Sequence, residues 1–382
     1  MRITDDWINE PGLQRVFALL TDAGHQALLV GGCVRNALLG APVSDMDIAT
    51  DARPETVLRL AKGSGIKAVP TGIDHGTVTL VENGIPHEVT TFRRDVATDG
   101  RRAVVAFADD VAEDARRRDF TMNALYARAD GTVIDPLGGL PDLQARRVRF
   151  IEDPTQRIEE DYLRILRFFR FHAWYGDAQA GLDADALAAI ATHLDGLPKL
   201  SRERVGAEMT KLLAAHDPAP AVAAMRGVGV LAAVLPGADD TALAPLVHLE
   251  GQHAISPDPM RRLAALGGHE VDERLRLSKA NARRLAEYRA GLEADLPPAA
   301  LGYRHGGDAA RDILLLRAAM MGQPLDPLAV ARASEGAAQV FPVKAADLMP
   351  EYQGPALGVR LNELEQRWID SGFALTRDQL LR

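Results

Sequence analysis

The chain has 382 residues, is 47% hydrophobic and carries a formal charge of −9, which fits two to four domains with ample material for a core. No apolar run approaches the roughly 20 residues that span a bilayer, and the acidic start lacks the basic-then-apolar order of a secretory signal. A single cysteine, Cys33, excludes an internal disulfide framework and a Cys-based zinc site, and predicts a cytoplasmic protein. The negative balance excludes a broadly basic nucleic-acid coat while leaving room for a local basic cleft.

Up to about residue 150, short apolar runs at 27–30, 47–49, 77–81, 88–92, 104–107 and 132–134 alternate with Gly- and Pro-marked turns and helical stretches. That texture predicts a sheet-containing α/β or α+β domain. Beyond it the apolar spacing turns helical, over 156–175, 184–194, 201–215, 272–292, 308–321 and 357–371, with no fixed-period repeat.

The first chemical motif is Leu28-Leu29-Val30-Gly31-Gly32-Cys33-Val34-Arg35. Here a strand runs through two glycines into a helix. Such a turn serves either as a plain reversal or as a phosphate cradle, where glycine lets a phosphate approach and the helix N-terminus offers N–H donors. About a dozen residues on stands Ser44-Asp45-Met46-Asp47. On a strand, i and i+2 share a face, so Asp45 and Asp47 present two carboxylates that repel unless a cation lies between them. Hard oxygens suit Mg²⁺; an ordinary surface Asp-X-Asp turn is the alternative. Glu88, on a stretch of β-formers, offers the further carboxylate that two-metal phosphoryl or nucleotidyl transfer employs, or else faces water from an edge strand. Arg116-Arg117-Arg118 reads as a phosphate clamp or a solvated charge run. Over 157–171, helical spacing makes Asp161 and Arg164 neighbours, able to read the edge of a base or simply to form surface ion pairs. It continues a ridge through Arg167 and carries Arg170 nearly opposite Asp161.

Together and in this order, these segments resemble the class II tRNA nucleotidyltransferases. That group contains CCA-adding enzymes and bacterial poly(A) polymerases within the DNA polymerase beta superfamily. Further matching pieces are Glu88-Val89-Thr90-Thr91-Phe92-Arg93, Arg117-Arg118-Asp119-Phe120-Thr121-Met122-Asn123-Ala124, Asp135-Pro136-Leu137-Gly138-Gly139, Glu160-Asp161-Tyr162-Leu163-Arg164 and Ser201-Arg202-Glu203-Arg204. The resemblance covers about residues 28–213 and implies an α+β fold. A nucleotidyltransferase head with a small mixed sheet occupies 1–150, a helical neck that recognises the base occupies 151–215, and a helical body and tail that bind tRNA occupy 216–382. It implies Asp45 and Asp47 as metal ligands, with Mg²⁺ as cofactor and Glu88 as a third catalytic carboxylate. Gly32, Arg35 and Arg118 would line the triphosphate site. Asp161 and Arg164 would pair with the base, and Arg167 and Arg170 would add further nucleotide contacts.

The implied activity is template-independent addition of CCA to the tRNA 3′ end from CTP and ATP, in one site and with release of pyrophosphate. Poly(A) polymerase or partial CC- or A-addition is the alternative, and a non-catalytic RNA-binding protein a remote one. The stretch 93–102 resembles a mobile loop found in full CCA-adding enzymes. No membrane partner is expected. His216-Asp217 stands alone, without the further ligands of an HD phosphohydrolase. Leu275-Arg276-Leu277-Ser278 with Asn281, Arg283 and Arg284 reads as a capped basic helix suited to an RNA backbone.

Overall fold

Four consecutive apolar residues, Ala27–Val30, are buried without alternation, the signature of a strand covered on both faces. They form strand β1 of a seven-stranded sheet in a computed structural model that describes residues 1–99 and 102–382. The other strands are β2 (Ile48–Thr50), β3 (Lys67–Gly72), β4 (Thr77–Glu82), β5 (Ile85–Thr91), β8 (Tyr126–Ala127) and β9 (Val133–Ile134), in the order β3-β4-β5-β2-β1-β8-β9. Only β2 and β5 pair in parallel; every other neighbour is antiparallel. The sheet is therefore mixed, as expected. β3, an edge strand holding Pro70 with no fully buried residue, gave no apolar signal in the sequence.

The stretch expected as a mobile loop instead forms strands. β6 (Arg93–Asp99) and β7 (Arg102–Phe107) pair antiparallel as a separate ribbon, with Arg93 opposite Phe107. The rest of that expectation, Gly100 and Arg101, lies outside the described residues.

Helices α1 (Pro11–Thr21), α2 (Gly32–Leu39), α3 (Pro54–Ser64), α4 (Val111–Arg116) and α5 (Leu140–Gln144) complete the sheet-bearing part, with α1 and α3 laid against β4. Its core joins Leu28, Val30, Ala49, Phe92, Tyr126 and Ile151. The single helix expected over 156–175 is two: α6 (Pro154–Glu160) and α7 (Leu163–Tyr175). The break falls at Asp161, which is extended at φ −156° and accepts the Leu163 N–H on Oδ1 at 3.1 Å. A short carboxylate that bonds nearby backbone competes with the helix in this way. Helices α8 (Ala184–Thr192) and α9 (Arg202–Leu213) follow.

Residues 1–212 with 220–234 make one compact unit, and residues 213–219 with 235–382 a second. The second unit is almost wholly helical. The helix expected over 272–292 is again two pieces, Val271–Arg274 and Lys279–Glu293, because Ser278 caps the latter by accepting the Asn281 N–H at 3.2 Å. Asp217 likewise caps the helix that follows it, accepting the Ala219 N–H at 3.0 Å. At the centre of this unit Glu250 receives two buried arginines, Arg261 at 2.6 Å and Arg262 at 2.7 Å. Asp312 takes Arg261 at 3.0 Å and the Tyr288 hydroxyl at 2.7 Å. Among the described residues no helix is long and apolar enough to cross a membrane.

Candidate active site

β1 ends at Val30 and the chain turns through Gly31 into α2. Gly31 sits at φ 72° and ψ −118°, a conformation that only glycine adopts without strain. A Cβ there would lie 3.4 Å from Nη1 of Arg118. The glycine turn and the Arg118 guanidinium thus face one another at the C-terminal end of β1, where the amides of the first turn of α2 have no side-chain cap.

Arg118 is held from behind. Its Nη2 donates to Asp114 at 3.0 Å and its Nε to the Tyr126 hydroxyl at 3.1 Å. Asp114 is 1% exposed and also receives Arg117 at 2.9 Å, the Tyr126 hydroxyl at 2.8 Å and the Arg93 N–H at 3.2 Å. Burial alone would raise the Asp114 carboxyl; Arg118, Arg117 and the Tyr126 hydroxyl outweigh it and hold the group well below the usual range. The same contacts overcome desolvation at Arg118 and push its ionisation up. Of the expected arginine clamp, only Arg118 faces the glycine turn. Arg117 binds Asp114, and Arg116 reaches Glu152 at 3.5 Å. Asp114 and Tyr126, which orient the one that matters, were missed: neither belongs to a motif that stands out in the sequence.

Asp45 and Asp47 precede β2 rather than lying on it. The Asp47 carbonyl nevertheless accepts the Val30 N–H at 3.0 Å, which extends the β1–β2 ladder by one residue and fixes Asp47 beside the glycine turn. The parallel register Ile48–Val89 sets Asp47 level with Glu88 on the neighbouring strand. Burial, then the Glu88 charge, raise the Asp47 carboxyl; Arg118 lowers it and Asp45 raises it further, and the net shift is upward. Asp45, exposed, takes a hydrogen bond from the Ser44 hydroxyl at 2.9 Å. Two further carboxylates thus act on Asp47 beside the turn, with Arg118 offsetting them, and such a set favours a divalent cation. Among the described residues no three His, Cys, Asp or Glu side chains gather closely enough to hold a metal alone. A site completed by water and substrate phosphate needs only one or two carboxylates, so the donor set fits Mg²⁺.

The remaining expected residues lie along α6 and α7. Asp161 and Arg164 are not side-by-side partners on one helix face, because the chain breaks between α6 and α7. Asp161 Oδ2 accepts Arg204 at 2.6 Å, whereas Arg164 binds Glu160 and donates to the Arg117 carbonyl at 2.8 Å. Arg167 pairs with the buried Asp119, Nε to Oδ2 at 2.7 Å. Arg170 donates to Glu208 at 2.5 Å, and Arg167 lies 3.9 Å from the same carboxylate. Both guanidiniums flank the Phe171 ring, at 5.4 and 4.5 Å from its centre. Arg167 and Arg170, neighbours three residues apart on α7, thus share one acid. Arg35 is 6% exposed and turned toward α7 instead of outward. It donates to Asn123 at 2.5 Å and to the Tyr175 hydroxyl at 2.9 Å. A Cβ on Gly32 would find only Arg35, at 3.8 Å. Among the expected residues, Gly32, Asp45, Asp47, Glu88 and Arg118 gather at the turn, while Arg35 and the α7 arginines are already paired within the protein.

A mixed sheet with carboxylates beside a glycine turn defines the nucleotidyltransferase class, and the poly A polymerase head domain family matches residues 27–149. Residues 181–241 match the family described as the probable RNA and SrmB-binding site of polymerase A. The chain is 32% identical to the mitochondrial CCA tRNA nucleotidyltransferase 1 of Mus musculus over 97% of its own length and 89% of that protein. It is 42% identical to the CCA-adding enzyme of Levilactobacillus brevis over 53% of this chain and 50% of the relative. The solved CCA-adding enzyme of Bacillus stearothermophilus in complex with CTP superposes with a TM-score of 0.73 and 27% identity, covering 95% of this chain and 94% of that one. The chain belongs to the class II tRNA nucleotidyltransferase family, the CCA-adding enzymes.

Proposed function

We propose that the protein adds CCA to the 3′ end of tRNA from CTP and ATP, without a nucleic-acid template, in the cytoplasm. The observation that carries this reading is the carboxylate set Asp45, Asp47 and Glu88 around the Gly31-Gly32 turn, with Arg118 opposing it. The family membership and the names of its relatives support the choice of tRNA as primer.

In this reading the free amides of Gly32 and the start of α2 receive the triphosphate, and Arg118, already aimed by Asp114 and Tyr126, neutralises it. Asp45 and Asp47 would hold Mg²⁺, which would supply charge stabilisation at the reacting phosphate and the departing pyrophosphate. The primer 3′-hydroxyl attacks the α-phosphorus in line and gives up its proton to solvent, an oxygen–phosphorus bond forms, and the bond to pyrophosphate breaks. Glu88, exposed on the strand beside Asp47, is the third carboxylate of the set. Asp161 and Arg164 present an acceptor and donors to the base edge, with Arg167 and Arg170 behind them. Reading a base requires Asp161 to exchange its ion pair with Arg204, and Arg164 to turn partly from Glu160. The head spans 1–150, the neck 151–215, and the helical body and tail 216–382 bind the tRNA.

The test is product length on tRNA transcripts ending at the discriminator base, at C and at CC, each given CTP, ATP or both. Two cytidines followed by one adenosine, and then a stop, is the expected product. A long adenosine ladder with no need for CTP makes the protein a poly(A) polymerase; no incorporation on any primer removes the catalytic reading.

A further inference from the structure

A buried arginine must have its N–H donors satisfied, and the partners of Arg35 come from three places. Asn36, its neighbour on α2, accepts from Nε at 3.2 Å and Nη2 at 2.9 Å. Asn123, in the short helical turn Thr121–Asn123, accepts from Nη1 at 2.5 Å. Tyr175, the last residue of α7, accepts on its hydroxyl from Nη2 at 2.9 Å. The guanidinium also lies 4.0 Å from the centre of the Tyr175 ring and 5.1 Å from that of Phe171. Burial lowers the ionisation of Arg35, and the Tyr175 hydroxyl and the Asp119 carboxylate act against that loss.

The pin is continuous with the other head-to-neck contacts. Asn123 donates from Nδ2 to Asp119 at 2.9 Å, and Asp119 in turn binds Arg167. The helix that begins at the glycine turn is therefore tied, one turn in, to the last residue of α7 directly and, through Asn123 and Asp119, to Arg167 in its second turn.

We infer that Tyr175 is a positioning residue for nucleotide binding: through Arg35 it fixes the distance between the Gly31-Gly32 turn and the base-reading face of α7. The inference rests on the proposed nucleotidyl transfer. It has a signature distinct from base recognition. A residue that reads the base changes the choice between CTP and ATP. A residue that sets the spacing between triphosphate and base sites weakens both nucleotides alike and leaves the primer untouched.

Tyr175→Phe keeps the ring over Arg35 and removes the hydroxyl acceptor, so the fold is preserved. The expected result is a rise of about tenfold in the nucleotide KM, equal for CTP and ATP, with primer KM and Tm close to wild type. Tyr175→Ala, which also removes the ring contact, raises it further. Arg35→Lys, which keeps the charge and loses the fork, raises KM for both nucleotides in the same ratio. The wild-type enzyme is run in the same assay. Incorporation by wild type with an unchanged nucleotide KM in folded Tyr175→Phe overturns the positioning role. A change confined to one nucleotide, or to kcat with loss of Tm, overturns it as well. Absence of incorporation by wild type overturns the proposed reaction instead.

Discussion

In the second unit, Glu250 meets Arg261 and Arg262, and Asp312 meets Arg261, Tyr288 and Arg284, so that every carboxylate oxygen is answered by a donor of the protein itself. In the first unit, Asp45, Asp47 and Glu88 act on one another across the glycine turn with Arg118 as the offsetting cation, and the Asp47 carboxyl is driven upward. Both clusters are dense in charge. They differ in whether the chain closes its own electrostatic account. Neutralised ion pairs, once buried, hold helices in one arrangement. Carboxylates left in excess destabilise the folded chain until something outside it arrives, and this is the usual condition of a site that binds a cation and a triphosphate.

The sharpest way to break this comparison is to remove one acid from each cluster. Asp47→Ala is expected to lower nucleotide incorporation by about a thousandfold while tRNA binding in a filter assay stays within twofold and Tm holds or rises, because a repelled charge is gone. Glu250→Gln strands two buried guanidiniums and is expected to cost about 3–5 kcal/mol, read as a drop of roughly 10 °C in the melting of the second unit, with nucleotide KM unmoved. If the two variants exchanged these signatures, the comparison would be wrong.

A smaller effect sharpens the reading of α7. Arg164→Ala is expected to shift the ratio of CTP to ATP use by about tenfold, measured as kcat/KM for each on a primer ending in CC, with primer KM constant. An unchanged ratio would confine Arg164 to its contacts with Glu160 and the Arg117 carbonyl.

The smallest concerns His87 on β5, fully buried, with neither ring nitrogen bonded among the described residues. Burial lowers its ionisation below the ordinary value of 6.5, against the pull of Glu10 and Glu82. A neutral form favoured by folding gives stability that is present above the unfolded value and is lost as pH falls through the folded one. Melting of the first unit is therefore expected to weaken below about pH 6.5, and His87→Leu is expected to flatten that slope. An unaltered slope in the variant assigns the acid sensitivity elsewhere.

The sheet-bearing half was legible wherever strands are buried, since β1, β4 and β5 announce themselves as apolar runs between turns. It was not legible at β3, whose exposed edge carries no such pattern, nor over β6, whose charged sequence reads as a loop although it pairs along the apolar run of β7. The carboxylates and glycines of the turn were found because their types and spacing are chemical demands. Their supporting residues were not. Asp114, Tyr126, Glu208 and Tyr175 work through contacts between segments up to 140 residues apart in the chain, and nothing local marks them. The helix break at Asp161 was missed because periodicity continues across it, while one aspartate hydrogen bond redirects the chain.

The central claim is that the acids at the glycine turn await a divalent cation. It is tested most directly by titrating Mn²⁺ into protein with CTP and following free ion by electron paramagnetic resonance. Wild type is expected to take up the ion, and Asp47→Asn to bind it at least about tenfold more weakly, with Glu250 and Asp312 untouched in both. Equal uptake by the two proteins would contradict the account.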